Sequence, residues 1–203
     1  MKKIILFSLS ILVCLSAKAQ YLTNDKRQGK TQKAQTVTTI KGITGEMLNL
    51  ISGPKGKERD WTTFRNLFLP SAQFYALPSA NQPKGAITAL NLEEFIRTLG
   101  PIYKAEGFSE KPLDYDINEF NGMANVFQSY EAKNASGTYQ ARGINNFILM
   151  WNDNRWWIAS VTWSNEDSTH PIPDELGSAG KNEAPQKPKG KLDKIKKGTI
   201  KLN

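Results

Sequence analysis

Carboxylates, tyrosines and a single arginine are the residues of this 203-residue chain best suited to chemistry. Asp114 and Asp116, with Glu119 beyond them, fall in a run whose period of two puts both aspartates on one face of a strand. A carboxylate forced into apolar surroundings has a raised pKa and can act as a general acid or base. The same pair on an edge strand would keep that edge soluble instead, and the residues alone leave both readings open. Arg142 opens a later apolar run and shares its face with Ile144, Asn146, Ile148 and Met150. At a pocket mouth its guanidinium could hold a carboxylate or enolate through two hydrogen bonds. The alternative is a structural ion pair with Glu131 or Asp60. Asn146, if buried, must find a hydrogen-bond partner. Tyr75, Tyr103 and Tyr130 can each turn a hydroxyl inward.

Other chemistries lack their residues. The only histidine, His170, stands beside Pro171 past the last expected strand, a poor place for a general base. One histidine without partnering cysteines makes no convincing metal site. Gly53-Pro54-Lys55-Gly56 reads as a turn between helices rather than a phosphate loop, so no cofactor is expected. Asn134-Ala135-Ser136 is a glycosylation triplet by form.

The ends of the chain set the frame. Lys2 and Lys3 precede an apolar run from Ile4 to Leu15, and Ala17-Lys18-Ala19 follows. This is the pattern of a secretory signal, far short of the roughly 20 residues that span a membrane. A mature chain starting at Gln20 is expected, exported to the periplasm or beyond. Cys14, the only cysteine, would leave with the signal; Ile11, Leu12 and Val13 before it fit a lipidation site poorly. The net charge of +8 is carried by the flanks. Residues 20–42 hold five Lys or Arg against one Asp, and 177–203 hold eight Lys against two acids. The part between is mildly acidic, which argues against a nucleic-acid surface. Residues 20–42 read as a flexible leader and 177–203 as a basic disordered tail. The tail could touch an anionic surface weakly or simply solvate the protein.

Between the flanks, one domain over 43–176 is expected. Thr44 should cap a first helix over 45–52, and Asp60 a second over 61–69 that ends at Pro70. Phe74 to Leu77 reads as a short strand, and Pro78 to Gly85 as a loop. Asn91, with Glu94 three residues on, should open a third helix over 92–105. From there the period becomes two. Strands are expected at 113–119, 123–133, 141–151 and 155–164, turning at Asn121-Gly122 and at Asn152-Asp153-Asn154. Helices first and strands after mean α+β, with helices on one face of an antiparallel sheet. The last hairpin holds four of the five tryptophans, Trp151, Trp156, Trp157 and Trp163. On strict alternation both its faces are apolar, whereas a half-exposed sheet should alternate cleanly. The face left open by the helices should then meet a second copy, giving a homodimer, or be covered by the leader and residues 165–176.

Several segments together resemble the nuclear transport factor 2-like superfamily, in its bacterial SnoaL-like branch. They are Gly53-Pro54, Arg59-Asp60-Trp61, Phe64-Arg65, Leu67-Phe68, Tyr130-Glu131, Arg142-Gly143-Ile144-Asn145, Arg155-Trp156-Trp157-Ile158 and Pro171-Ile172-Pro173. The resemblance implies a cone: a curved sheet wrapped by three helices around a deep apolar pocket, often dimeric. It implies a pocket that binds a small apolar or carboxylate-bearing ligand. Catalytic members isomerise, dehydrate or cyclise with an Asp–His or Asp/Tyr set that this chain lacks in that form. An enzyme here would have to use Asp114 or Asp116 with Arg142. A third class is an envelope interaction module acting through the sheet face or the basic tail.

Overall fold

Helical periodicity begins earlier than the first expected cap. The computed structural model describes residues 36–78 and 85–177, so the signal, most of the leader and the tail beyond 177 lie outside the described residues. Helix α1 runs Ile40–Ile51 with Thr39 at its N-cap, accepting from the Gly42 amide at 3.1 Å. Ile40, Ile43, Met47, Leu48 and Ile51 make its buried stripe. Thr44 therefore does not cap: it lies on that stripe, fully buried, and its hydroxyl donates to the Ile40 carbonyl at 2.9 Å.

Asp60 does cap α2, Trp61–Arg65, accepting from the Thr63 amide at 2.9 Å. The helix stops well before Pro70, because the chain is already strand β1, Phe68–Ala76. Pro70 is tolerated there because it falls where β1 shifts register against its neighbour, between Phe68 and Gln73. Strand β2, Thr88–Asn91, leads into α3, Leu92–Glu106. Its capping box forms as the sequence requires: Asn91 and Glu94 accept from each other's amides, both at 2.9 Å. Phe64, Phe68, Phe74 and Phe95 stack into one cluster, Phe74 and Phe95 only 4.3 Å apart between centroids, and tie α2, β1 and α3 together.

Four long strands follow: β3 Phe108–Phe120, β4 Met123–Asn134, β5 Gln140–Asn152 and β6 Arg155–Asn165. The turns are the expected ones, with positive φ at Asn121, Gly122, Asp153 and Asn154. The sheet order is β2-β1-β6-β5-β4-β3. Every pairing is antiparallel except β1 with β6, so the curved sheet is mixed rather than purely antiparallel. That parallel pairing closes over nearly the whole domain and has no local signature.

Two bulges decide which residues face the helices. Leu149 pairs with Ile158 but Ile148 pairs with Ser160, so Ala159 is an extra residue in β6. Trp156, Ile158, Val161 and Trp163 consequently share the inner face, although strict alternation splits them. Beyond the bulge the outer face of β6 is Ser160, Thr162 and Ser164, polar where strict alternation predicts an apolar face; before it, Trp157 lies outside. In β3, Pro112 pairs with Tyr130 and Tyr115 with Gln128, again one residue too many. This turns Tyr115 and Ile117 inward and Asp116 outward.

The outer face is covered in part. Residues 166–177 fold back across it, ending in the short helix α4, Asp174–Gly177, and bury Ile172 and Leu176. The Ser129 hydroxyl donates to the Leu176 carbonyl at 2.6 Å. Toward the hairpin ends the face stays bare: Phe120, Met123 and Met150 are neighbours across three strands and are all exposed.

Candidate ligand cavity

The inner sheet face and the helices enclose a cavity of about 280 Å³. Its walls are mostly apolar: Met47 and Ile51 from α1, Phe95 and Leu99 from α3, Phe74, Val161 and Trp163 from the sheet. Ile102, Glu106 and Tyr139, all exposed, mark its mouth.

One carboxyl faces this apolar space. Glu110 lies on β3 opposite Ala132, on the same face as Phe108. Its backbone is fixed by the Ser52 hydroxyl, which accepts from the Glu110 amide at 2.9 Å while donating to Leu48 at 2.7 Å. Its carboxyl accepts a hydrogen bond from Asn145 Nδ2 at 2.7 Å. Burial pushes it up to about 7, against the opposing pull of that hydrogen bond. Behind Asn145 sits Gln128, fully buried, whose Nε2 has no partner among the described residues.

Tyrosines surround the carboxyl. Burial first, and the Glu110 charge second, push Tyr103, Tyr130 and Tyr139 above the usual phenol range. The Tyr130 hydroxyl donates to Asn165 Oδ1 at 2.7 Å. The Tyr103 ring stacks on Phe108 at 4.5 Å. A carboxyl balanced near neutrality can accept a hydrogen bond as the anion, donate one as the acid, or exchange a proton.

Arg59, which bonds the Tyr103 carbonyl, is not available to a ligand. Arg59 is buried behind this wall, donating to Ile51 at 2.8 Å, Lys57 at 2.6 Å, Gly53 at 2.8 Å and Tyr103 at 3.0 Å, all main-chain carbonyls. Among the described residues no cluster of three metal-ligating side chains forms.

The residues singled out from the sequence divide between the faces. Tyr103 and Tyr130 line the cavity. Tyr75 lies on the outer face of β1, opposite Thr162. Asn146 is outside as well, donating to Asn125 at 3.1 Å; its neighbour Asn145 is the inner residue. Arg142 is also outside, paired with Glu166 at 3.3 Å rather than with Glu131 or Asp60, and it donates to the Gly177 carbonyl at 3.4 Å. Asp114 accepts from the amide of Tyr115 at 2.8 Å beside the Ser129 hydroxyl, and Asp116 is exposed. An isomerase-type set of Asp114 or Asp116 with Arg142 is therefore not assembled. The bulge in β3 is the reason for the aspartates. For β5 the reason is Gly143, whose bare α-carbon lets the Tyr130 hydroxyl and the Ser164 carbonyl close in from inside. His170 is exposed in a turn on Asp167, whose carboxyl is held down to about 2, chiefly by the Thr169 hydroxyl.

Glu110 escaped the sequence reading because the strand was expected to start at 113. Phe108-Ser109-Glu110-Lys111-Pro112 does alternate, but Gly107 before it and Pro112 within it resemble loop punctuation.

No protein-family model matches the chain, and no curated protein matches it either. Solved structures do match. One is a nuclear transport factor 2-like superfamily protein from Salmonella enterica serovar Typhimurium, with TM-score 0.50 and 15% identity, covering 70% of this chain and 95% of that one. Another is a protein of unknown function with a cystatin-like fold from Nostoc punctiforme, with TM-score 0.49 and 9% identity, covering 64% and 90%. A third is a nuclear transport factor 2-like protein of unknown function from Shewanella baltica, with TM-score 0.43 and 13% identity, covering 70% and 96%. At 15% identity the likeness to the Salmonella protein is one of architecture, and what it establishes is that this chain has the nuclear transport factor 2-like fold.

Proposed function

We propose that the cone cavity binds a small, mainly apolar molecule that carries one hydrogen-bond donor. The observation behind this is Glu110: a carboxyl in an apolar cavity that has one hydrogen-bond partner and room for more. A concave, apolar site with a few converging polar groups is the ordinary form of a small-molecule pocket. A carboxylate-bearing ligand fits less well, since Arg142 lies outside and, among the described residues, no cation lines the walls. The test is native mass spectrometry of the purified protein for a retained ligand, with displacement of a hydrophobic fluorescent dye. Leu99→Trp, which fills the cavity, should abolish dye binding in a protein that remains folded. Unchanged binding by that variant would refute the site.

The bare part of the outer sheet face supports a second proposal, a homodimer through that face. Phe120, Met123, Phe127 and Met150 are 73%, 59%, 42% and 45% exposed, a contiguous patch of the kind that marks association. Trp157 continues the row next to Met150, under the Arg155 guanidinium at 3.9 Å. Sedimentation equilibrium of the full chain should show a dimer that Met150→Lys dissociates. A monomer at high micromolar concentration would exclude it.

A further inference from the structure

Resting on the cavity reading, the chemistry of the walls narrows the ligand further. We infer that its polar end is a protonated amine, held by Glu110 among the rings of Tyr103, Phe108 and Tyr139. The first support is charge. Among the described residues the titratable groups that line the cavity are Tyr103 and Glu106 from α3, Glu110 from β3, Tyr130 from β4, and Tyr139 just before β5; none is a cation. Lys111, Lys133 and Arg142 border a separate open groove that Glu110 also touches, and none of them lines this cavity. Lys111 is on Glu131 at 2.7 Å, Arg142 on Glu166 at 3.3 Å and Lys104 on Glu58 at 2.7 Å. Lys133 pairs across the strands with Ser109 and Gln140 and is exposed. Arg59 donates to carbonyls behind the wall. An ionised carboxyl in such a place is costly until a counter-charge arrives.

The second support is the surroundings. Tyr103 and Phe108 stack 4.5 Å apart, Phe108 lies 6.4 Å from Tyr139, and all three rings line the same cavity as Glu110. Ring faces attract a desolvated ammonium. The third is the mouth, where a second carboxylate, Glu106, lines the entrance, steadied by Asn134 at 3.4 Å. An anionic or strongly electronegative ligand would meet both carboxyls unfavourably. A neutral donor satisfies the hydrogen bond but leaves the charge uncompensated. Because Glu110 is held at about 7, binding an ammonium near neutral pH must also expel a proton from the carboxyl.

The experiment compares 2-phenylethylamine with 2-phenylethanol, which match in shape and differ in charge, by calorimetry on the full chain. At pH 8 the amine should bind at least tenfold more tightly than the alcohol. At pH 6 that preference should shrink, as the carboxyl holds its proton. At pH 7, titrations in buffers of different ionisation enthalpy should show a fraction of a proton released per amine bound. Glu110→Gln should abolish the preference. Alcohol binding equal to or tighter than amine binding would overturn the amine inference and leave the cavity reading standing. A preference that survives in Glu110→Gln would overturn the role of Glu110. Failure of both probes to bind would sink the cavity reading and this inference together.

Discussion

Replacing Glu110 by Gln should remove a pH dependence of stability that runs opposite to the usual one for carboxylates. In the unfolded chain this carboxyl ionises at its ordinary value of 4.5; in the fold, burial holds it at about 7. A carboxyl raised by folding favours the folded state while protonated. Its contribution is complete below pH 4.5 and is lost as the pH rises to about 7. Raising the carboxyl from 4.5 to about 7, at about 1.36 kcal/mol for each tenfold change in acidity, gives an upper bound of about 3.4 kcal/mol. The other shifted carboxyls do not interfere. Glu58, Glu93, Glu131 and Asp167 are all lowered, the first three chiefly by hydrogen bonds from Lys104, Arg65 and Lys111, and Asp167 by Thr169. Their contributions are present above their ordinary values and fade only in acid. Urea denaturation at pH 5, 6, 7 and 8 reads the effect directly. The native chain should lose about 2–3 kcal/mol across that range, and Glu110→Gln should be flat. A native chain whose stability is flat or rises from pH 5 to 8 would refute the burial argument, as would a variant that keeps the slope.

Gly143→Ala should destabilise by about 1–3 kcal/mol or more, because the added methyl meets the Ser164 carbonyl and comes within 2.7 Å of the Tyr130 hydroxyl; denaturation curves check it. Arg142→Ala should cost no more than about 1 kcal/mol, the worth of a half-exposed ion pair, and should leave dye and amine binding unchanged. A loss of binding there would return Arg142 to the site. N-terminal sequencing of the exported protein should begin at Gln20; a chain still starting at Met1 after export would contradict the signal reading. Removing residues 178–203 should weaken salt-sensitive binding to anionic vesicles, measured by co-sedimentation, if the basic tail is the contact.

Much of the architecture was legible because it is local. The Asn91–Glu94 capping box, the Asp60 cap and the two hairpin turns each follow from residues within four positions of one another. The candidate site was less legible because it depends on phase. A bulge inserts one residue without marking the sequence strongly, and every side chain beyond it changes face. For Asp114 and Asp116 the sequence left a pocket face and a soluble edge strand both open, and the bulge between Pro112 and Tyr115 decides for the exposed edge at Asp116. Arg142 and Asn146 were preferred over Gly143 and Asn145, although the fully buried Phe147 and Leu149 share the face of the latter pair. Tyr103 and Tyr130 were found because each follows a buried stripe that no bulge interrupts. The parallel β1–β6 pairing joins segments some ninety residues apart, and no local pattern announces it.

Arg59 has a consequence for motion. Its guanidinium joins the end of α1, the turn after it and the Tyr103 carbonyl in α3, and the Gly56 amide adds a bond to the Lys104 carbonyl at 2.7 Å. The wall behind Tyr103 is thus cross-braced and should be among the last segments to exchange its amide protons. The opposite rim is held by two longer bonds, from Asn134 to the Glu106 carboxyl at 3.4 Å and from the Ala135 amide to the Glu106 carbonyl at 3.3 Å. Breathing of the cone should therefore concentrate on that side, and amides around Tyr139 should exchange faster than those around Tyr103.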